Sequence, residues 1–158
     1  MHPTAATFAE RLRDTHGLEP EIREFPEGTK TARDAADAIG CELAQIVKSI
    51  VMTVGDDVVV VLTSGANRVD ETALAGSFDV APDAVTSASP DAVKAATGGS
   101  IGGVPPVLHE RTLPVLADPL LFEYDAVWAA AGTPSAVFRL TPAQLERLAA
   151  PEVVDVFE

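Results

Sequence analysis

The sequence predicts an α/β fold of the α+β type, a mixed, partly closed, barrel-like β-sheet flanked by short helices. Three observations carry this. Gln45 to Val54 and Val58 to Ser64 are β-branched runs separated by Gly55, Asp56 and Asp57, a turn composition that joins antiparallel neighbours. Val58 to Leu62 is apolar without alternation, so that strand is expected to be central and covered on both faces. Short helical patterns interrupt the strands irregularly, unlike the regular alternation of a doubly wound parallel sheet.

The elements follow in order. Ala5, Phe8, Ala9 and Leu12 recur at helical spacing before Gly17, which marks an amphipathic first helix over Ala5 to Thr15. Glu19 to Phe25 suits a short strand, ended by a turn at Pro26, Glu27 and Gly28. Thr31, with Asp34 three residues on and Gly40 behind Ile39, brackets a capped short helix. After the hairpin, Asp70 to Ala75 and Ser89 to Ala96 read as brief helices, the second opened by Ser89-Pro90 and closed by Gly98 and Gly99. Val107 and Leu108 are expected to begin a strand, and Leu113 to Ala117 is extended up to the break at Asp118-Pro119. Ala126 to Ala131 and Ala136 to Leu140 flank Gly132, Thr133 and Pro134 as a second hairpin-like pair. Thr141, Pro142 and Gln144 form a capping box for a last helix over Thr141 to Leu148, followed by extended Val153 to Phe157.

The chain has 158 residues, which favours one domain over 1–158 with a substantial core. Its 24 acidic residues against 11 Lys and Arg give a net charge of −13. That argues against broad polyanion binding and confines any nucleic-acid contact to a small footprint. A hydrophobic fraction of 47% excludes disorder as the main state. Cys41 is the single cysteine, and Met1 to Arg13 carries early charges without an apolar leader; both point to the cytoplasm. No apolar run is long enough to span a bilayer, and neither membrane nor DNA is expected as a partner.

Few residues offer chemistry. Lys48 is one of three lysines and sits inside the otherwise apolar run Gln45 to Met52. Turned toward a cleft it needs a partner anion or polar ligand, because desolvation disfavours its charge; the alternative is a solvated edge strand. Ile101-Gly102-Gly103-Val104-Pro105-Pro106 combines unobstructed backbone N–H groups with a stiff exit, a loop suited to an oxyanion or carbonyl oxygen. It matches neither a dinucleotide fingerprint nor a phosphate-binding loop with Gly-Lys-Ser/Thr. His2, His16, His109 and Cys41 lack metal-ligand spacing, so no metal or other cofactor is expected. Cys41 has no catalytic signature, and Ser49 points to the strand face opposite Lys48 without a nucleophile elbow, which disfavours a serine hydrolase. Asp70 reads first as a helix cap, with Arg68 its ion partner or a phosphate contact.

These segments together resemble the YbaK/EbsC family, the prolyl-tRNA editing domain family of aminoacyl-tRNA deacylases. The carriers lie between about Thr31 and Leu148. They are Thr31-Ala32-Arg33-Asp34-Ala35-Ala36 with Ile39-Gly40, Gln45 to Val51, Asn67-Arg68-Val69-Asp70, Ala96 to Pro106, and Ala130-Ala131-Gly132. The resemblance implies a pocket for the aminoacylated 3′ end of a tRNA, with Lys48, Gly102 and Gly103 catalytic. Thr31, Ser49, Arg68, Asp70, Pro105, Pro106 and Gly132 would bind substrate. It implies a metal-independent, trans-editing hydrolase acting on tRNA for proline that carries a small wrong amino acid such as Ala, Ser, Thr or Cys, with prolyl-tRNA synthetase as an expected partner. Members specific for cysteine align with an acidic residue after the glycine of the late hairpin, whereas Thr133 follows Gly132 here, so a pocket for alanine, serine or threonine is equally expected. The rival expectations are a non-catalytic module of the same fold that holds an aminoacyl group, nucleotide or synthetase, and a hydrolase of small acylated metabolites.

Overall fold

The computed structural model describes residues 3–25, 31–99, 103–109 and 112–158. Within them the chain runs through α1 (Pro3–His16), β1 (Ile22–Glu24), α2 (Ala32–Ile39), β2 (Ile46–Val54), β3 (Asp57–Ser64), α3 (Glu71–Ser77) and β4 (Val85–Ser87). It continues through α4 (Pro90–Thr97), β5 (Val115–Ala117), β6 (Val127–Ala130), β7 (Ala136–Leu140), α5 (Pro142–Ala149) and β8 (Glu152–Val153). Short 3-10 turns lie at Leu43–Gln45, Pro82–Ala84 and Pro119–Phe122.

All eight strands form one mixed sheet in the order β1-β7-β6-β2-β3-β5-β8, with β4 pairing to β2 off this path. The β2–β6, β3–β5 and β5–β8 pairs are parallel and the rest antiparallel. Among the described residues β1 and β8 end the order without meeting, so the sheet is open and its predicted partial closure is not seen.

The expected hairpin is present, with Val54 opposite Asp57 around a Gly55-Asp56 turn. Asp57 joins the strand because a two-residue loop suffices to reverse the chain. β3 lies between β2 and β5, and Val59, Val60, Val61 and Leu62 are wholly buried, as an apolar run without alternation requires. Alternation along β2 and β3 then divides the core. Val47, Val51, Val60 and Leu62 face one cluster with Phe138 and the α1 residues Phe8 and Leu12. Met52, Val59 and Val61 face a second with Leu74 and Leu116. Burying each Leu or Phe contributes about 1.5–3 kcal/mol relative to exposure.

Helix ends follow the caps read from sequence. Thr31 and Asp34 bond reciprocally at the start of α2, and Thr141 and Gln144 do the same at α5. Ser89 caps α4 and Asp70 caps α3. Two expectations fail. Val107 and Leu108 form no strand: two prolines precede them, and Leu108 has φ +63°, a left-handed conformation incompatible with a strand. The last extended segment is shorter than expected, since β8 covers only Glu152–Val153, although Phe157 makes an isolated bridge to Val69. The turn predicted at Pro26 to Gly28 lies outside the described residues.

Candidate functional site

The edge of β2 turned away from β3 is paired in two separate pieces. β6 runs parallel to it only at Ile46↔Trp128 and Val47↔Ala129. β4 pairs with it from Met52↔Ser87 to Val54↔Val85. Between them Lys48 to Val51 has no strand neighbour on that side among the described residues, and Val51 C=O accepts from Ala88 N–H (3.0 Å). Peptide groups alternate in an antiparallel ladder, and Ile46 C=O accepts from Gly65 N–H on the β3 side. By that alternation the N–H and C=O of Ser49 face the gap.

A cavity of about 420 Å³ fills the gap and reaches both faces of the sheet. Ile46, Val137 and the α2 residues Thr31, Ala32 and Ala35 line it on one face; Val51, Ala88, Val93, Val104 and Ala136 line it on the other. Among the described residues Lys48 is the only ionisable one in this lining. Its Nζ donates to the carbonyl of Asn67 (3.0 Å), which uses one of three N–H donors and leaves two. Burial lowers the Lys48 pKa below the usual lysine range, the nearby Arg68 charge lowers it further, and Asp118 acts in the opposite direction. Ser49 Oγ is buried without a hydrogen-bond partner among the described residues, and Ser49 lines the same cavity.

The other predicted site residues distribute around this centre. Gly103 packs against the turn between β6 and β7, where an added Cβ would meet Pro134 Cδ at 2.8 Å and Pro134 N at 3.0 Å. Pro134 in turn lines the cavity, so only a glycine lets the loop approach its wall this closely. Pro105 and Gly132 line a neighbouring cavity of about 280 Å³ between α1 and the end of α4. Gly132 has φ +90°, which suits the turn and which a side chain would disfavour. His109 Nε2 donates to Pro105 C=O (2.7 Å) and fixes the exit of this loop; burial lowers the His109 pKa. Pro106 is buried outside the residues lining either cavity, and Gly102 lies outside the described residues. Arg68 exchanges backbone hydrogen bonds with Glu158, and among the described residues no ion pair joins it to Asp70. Asp70 Oδ1 accepts from Thr72 N (3.1 Å) and Ala73 N (3.2 Å), a helix cap.

Sequence reasoning missed the alanines that shape the cavity, because small residues carry no chemical signal until the fold gathers them. It also missed Asp118, read only as the end of a strand. The Asp-Pro step at 118–119 is a turn-initiation signal that pointed to a capping carboxylate.

The fold is thus an α/β domain whose mixed sheet is split around an apolar, alanine-lined cavity, with Lys48 the one cation in the lining among the described residues. Residues 26–148 match the model of the aminoacyl-tRNA editing domain, and the chain belongs to that family. It is similar over its whole length to a crystal structure of a candidate trans-editing enzyme for prolyl tRNA synthetase (38% identity, TM-score 0.92, covering 100% of this chain and 99% of that one). A hypothetical protein of known structure shares the fold (24% identity, TM-score 0.83, 96% and 99% covered). An uncharacterized protein of Bacillus subtilis, YwhH, is 29% identical over 140 residues, 87% of each chain. The chain is therefore an aminoacyl-tRNA editing domain. Among the described residues no helix is long and apolar enough to cross a membrane.

Proposed function

We propose that this domain is a trans-acting deacylase that hydrolyses the ester between a small amino acid and the 3′ end of a mischarged tRNA, with tRNA for proline as the carrier. The observation that carries the reading is the lone, half-buried Lys48 lining an apolar cavity within the split edge of β2. Among the described residues no carboxylate, imidazole or thiol shares that lining, which supports a mechanism of positioning and charge stabilisation.

In this mechanism the amino-acid side chain enters the alanine-lined cavity, which favours alanine, serine or threonine by size. The Lys48 ammonium and backbone N–H groups around Gly102 and Gly103 hold the carbonyl oxygen or the terminal phosphate and stabilise the negative charge that develops. Water, activated by the free ribose hydroxyl of the terminal adenosine, adds to the ester carbon. The bond to the other ribose oxygen then breaks, and that oxygen takes up a proton to leave free amino acid and tRNA. Thr31 at the head of α2 and Ser49 in the gap contact the aminoacyl group, while Arg68, Asp70, Pro105, Pro106 and Gly132 border the path of the acceptor end. Sieving by size discriminates one methylene by about 1–3 kcal/mol, so several small residues are expected to be accepted.

The net charge of −13 limits the RNA contact to the acceptor end and favours delivery of the substrate by a prolyl-tRNA synthetase. The test is a panel of tRNA for proline charged with alanine, serine, threonine, cysteine and proline, with Lys48→Ala as control. Release of the small amino acids above the uncatalysed rate, lost in the variant, is the expected result. Saturable binding with no release would overturn catalysis in favour of a holding module, and turnover of free aminoacyl esters without tRNA would point to a metabolite hydrolase.

A further inference from the structure

Asp118 lies directly after β5 and is 2% exposed, the one buried charged residue among those described. An isolated buried carboxylate is costly, and this one is satisfied by three donors. Its Oδ1 accepts from Leu120 N (3.0 Å), which starts the 3-10 turn at Pro119–Phe122. Its Oδ2 accepts from Ser64 N (3.2 Å), at the end of β3, and from Asn67 Nδ2 (2.9 Å), in the loop that follows. Capping a four-residue turn accounts for the first bond only.

The loop that Oδ2 holds is the one that receives Lys48. Asn67 works at both ends, its side-chain amide bound to Asp118 and its backbone carbonyl bound to Lys48 Nζ. The rest of the loop is set by short-range bonds: Asn67 N donates to Ser64 O (3.0 Å), Ala66 N to Ser64 Oγ (3.3 Å), and Ser64 Oγ to Ala44 O (2.8 Å). Those bonds fix the loop to β3 and to the turn before β2. The Asp118 bond alone fixes the Asn67 side chain. We infer that Asp118 is a positioning residue for Lys48, acting through Asn67, whose amide it holds and whose carbonyl takes the ammonium.

The inference rests on the proposed role of Lys48 for its catalytic meaning, but the coupling itself is independent of it. Arg68 and Asp118 are the charged groups that act on Lys48, one from the segment after the loop and one from the end of β5. With Asp118 neutralised, only Arg68 and burial remain, and both disfavour the ammonium.

The test pairs two variants. Asp118→Asn removes the charge and sets amide N–H groups against the donors of Ser64 and Asn67; Asn67→Ala cuts the link while keeping the Asp118 charge and the backbone carbonyl. Lys48 is titrated by NMR in each folded protein, its resonance assigned by its absence in Lys48→Arg. In Asp118→Asn the lysine titrates at lower pH than in wild type, and in Asn67→Ala the shift is the smaller of the two. An unchanged titration in folded Asp118→Asn overturns the coupling.

Deacylation of alanyl-tRNA for proline gives the second readout. Each variant is expected to lose about tenfold in kcat, the worth of one charge-assisted hydrogen bond, with KM little changed. In the Lys48→Ala background neither substitution should lower activity further; an undiminished additional loss overturns positioning through Lys48. If Asp118→Asn fails to fold, Asn67→Ala decides: full kcat overturns the inference. If Lys48→Ala itself keeps wild-type activity, the proposed function falls, and the NMR titration still judges the coupling.

Discussion

The two edges of β2 are unlike. Toward β3 its ladder is continuous from Val47↔Ser64 to Val54↔Asp57, and the partner residues Val59 to Leu62 are wholly buried. Away from β3 the ladder is shared by β6 and β4 and missing between them, and Lys48, Ser49 and Ile50 are only half-buried. One strand therefore anchors the core along one edge and offers unpaired peptide groups and a cation along the other. The difference teaches that a cavity can be made by omission: where two short strands stop before meeting, the sheet leaves a gap bounded by its own paired segments.

The paired edge should break most severely. Leu62→Ala removes a fully buried side chain from the central strand and is expected to destabilise the fold by about 2–5 kcal/mol, read as a lower midpoint in urea. Activity measured below that midpoint should persist, because the gap edge is untouched. The gap edge should respond in the opposite way. Lys48→Ala is expected to reduce kcat for deacylation by about 10²–10³, as for the loss of one preorganised donor to a developing charge, while cooperative unfolding is retained.

Gly103→Ala lies between these extremes. Its Cβ would press on the backbone of Thr133 and Pro134, so the loop or the turn between β6 and β7 must shift, at about 1–3 kcal/mol, with a parallel fall in kcat. Thermal unfolding and steady-state kinetics on one preparation check both. Ser49→Ala should separate stability from binding. Its hydroxyl is buried and unpartnered among the described residues, so removal should leave the unfolding free energy unchanged or raise it by up to about 1 kcal/mol, read from denaturation midpoints. Weaker substrate binding in the same variant would show that substrate supplies the missing partner; an unchanged KM would sink that role.

The pH responses are the smallest effects. In the proposed mechanism Lys48 acts as the ammonium, and burial lowers its pKa, so kcat/KM should fall with rising pH along a limb below the ordinary lysine value of about 10.4. A limb at or above that value would contradict the arrangement. For stability, His109 has a lowered folded pKa, so the unfolded chain binds its proton more readily. Its contribution is present above the unfolded value of about 6.5 and is lost as pH falls through the folded one. His109→Gln should flatten that acid-side loss in denaturation curves.

Local features were the legible ones. The caps at Thr31, Asp70, Ser89 and Thr141 and the β2–β3 hairpin depend on residues within a few positions of one another, and each stands where the pattern placed it. β4 was not legible, since three residues give no periodicity and its pairing with Met52 to Val54 crosses a helix. Leu108 looked like strand by composition, but it has a positive φ, and its carbonyl accepts from Arg11 Nη2 of the distant α1 (3.4 Å). For the site, Lys48 stood out because a lysine in an apolar strand demands a reason. Its partners did not, because Asn67 and Asp118 are joined to it only by long-range folding.

The segment beside that loop is closed from a third direction. Val69 bridges Phe157, Arg68 and Glu158 exchange backbone hydrogen bonds, and Asp70 N donates to Val156 O. Residues near 48, 67 and 118 thus meet at one loop, and the segment directly after it is tied to residues 156–158. Contacts of such large sequence separation carry loop-closure costs that a local hairpin does not. The surroundings of the lysine are therefore a property of the whole folded chain, and no fragment holding only the β2–β3 hairpin would reproduce them.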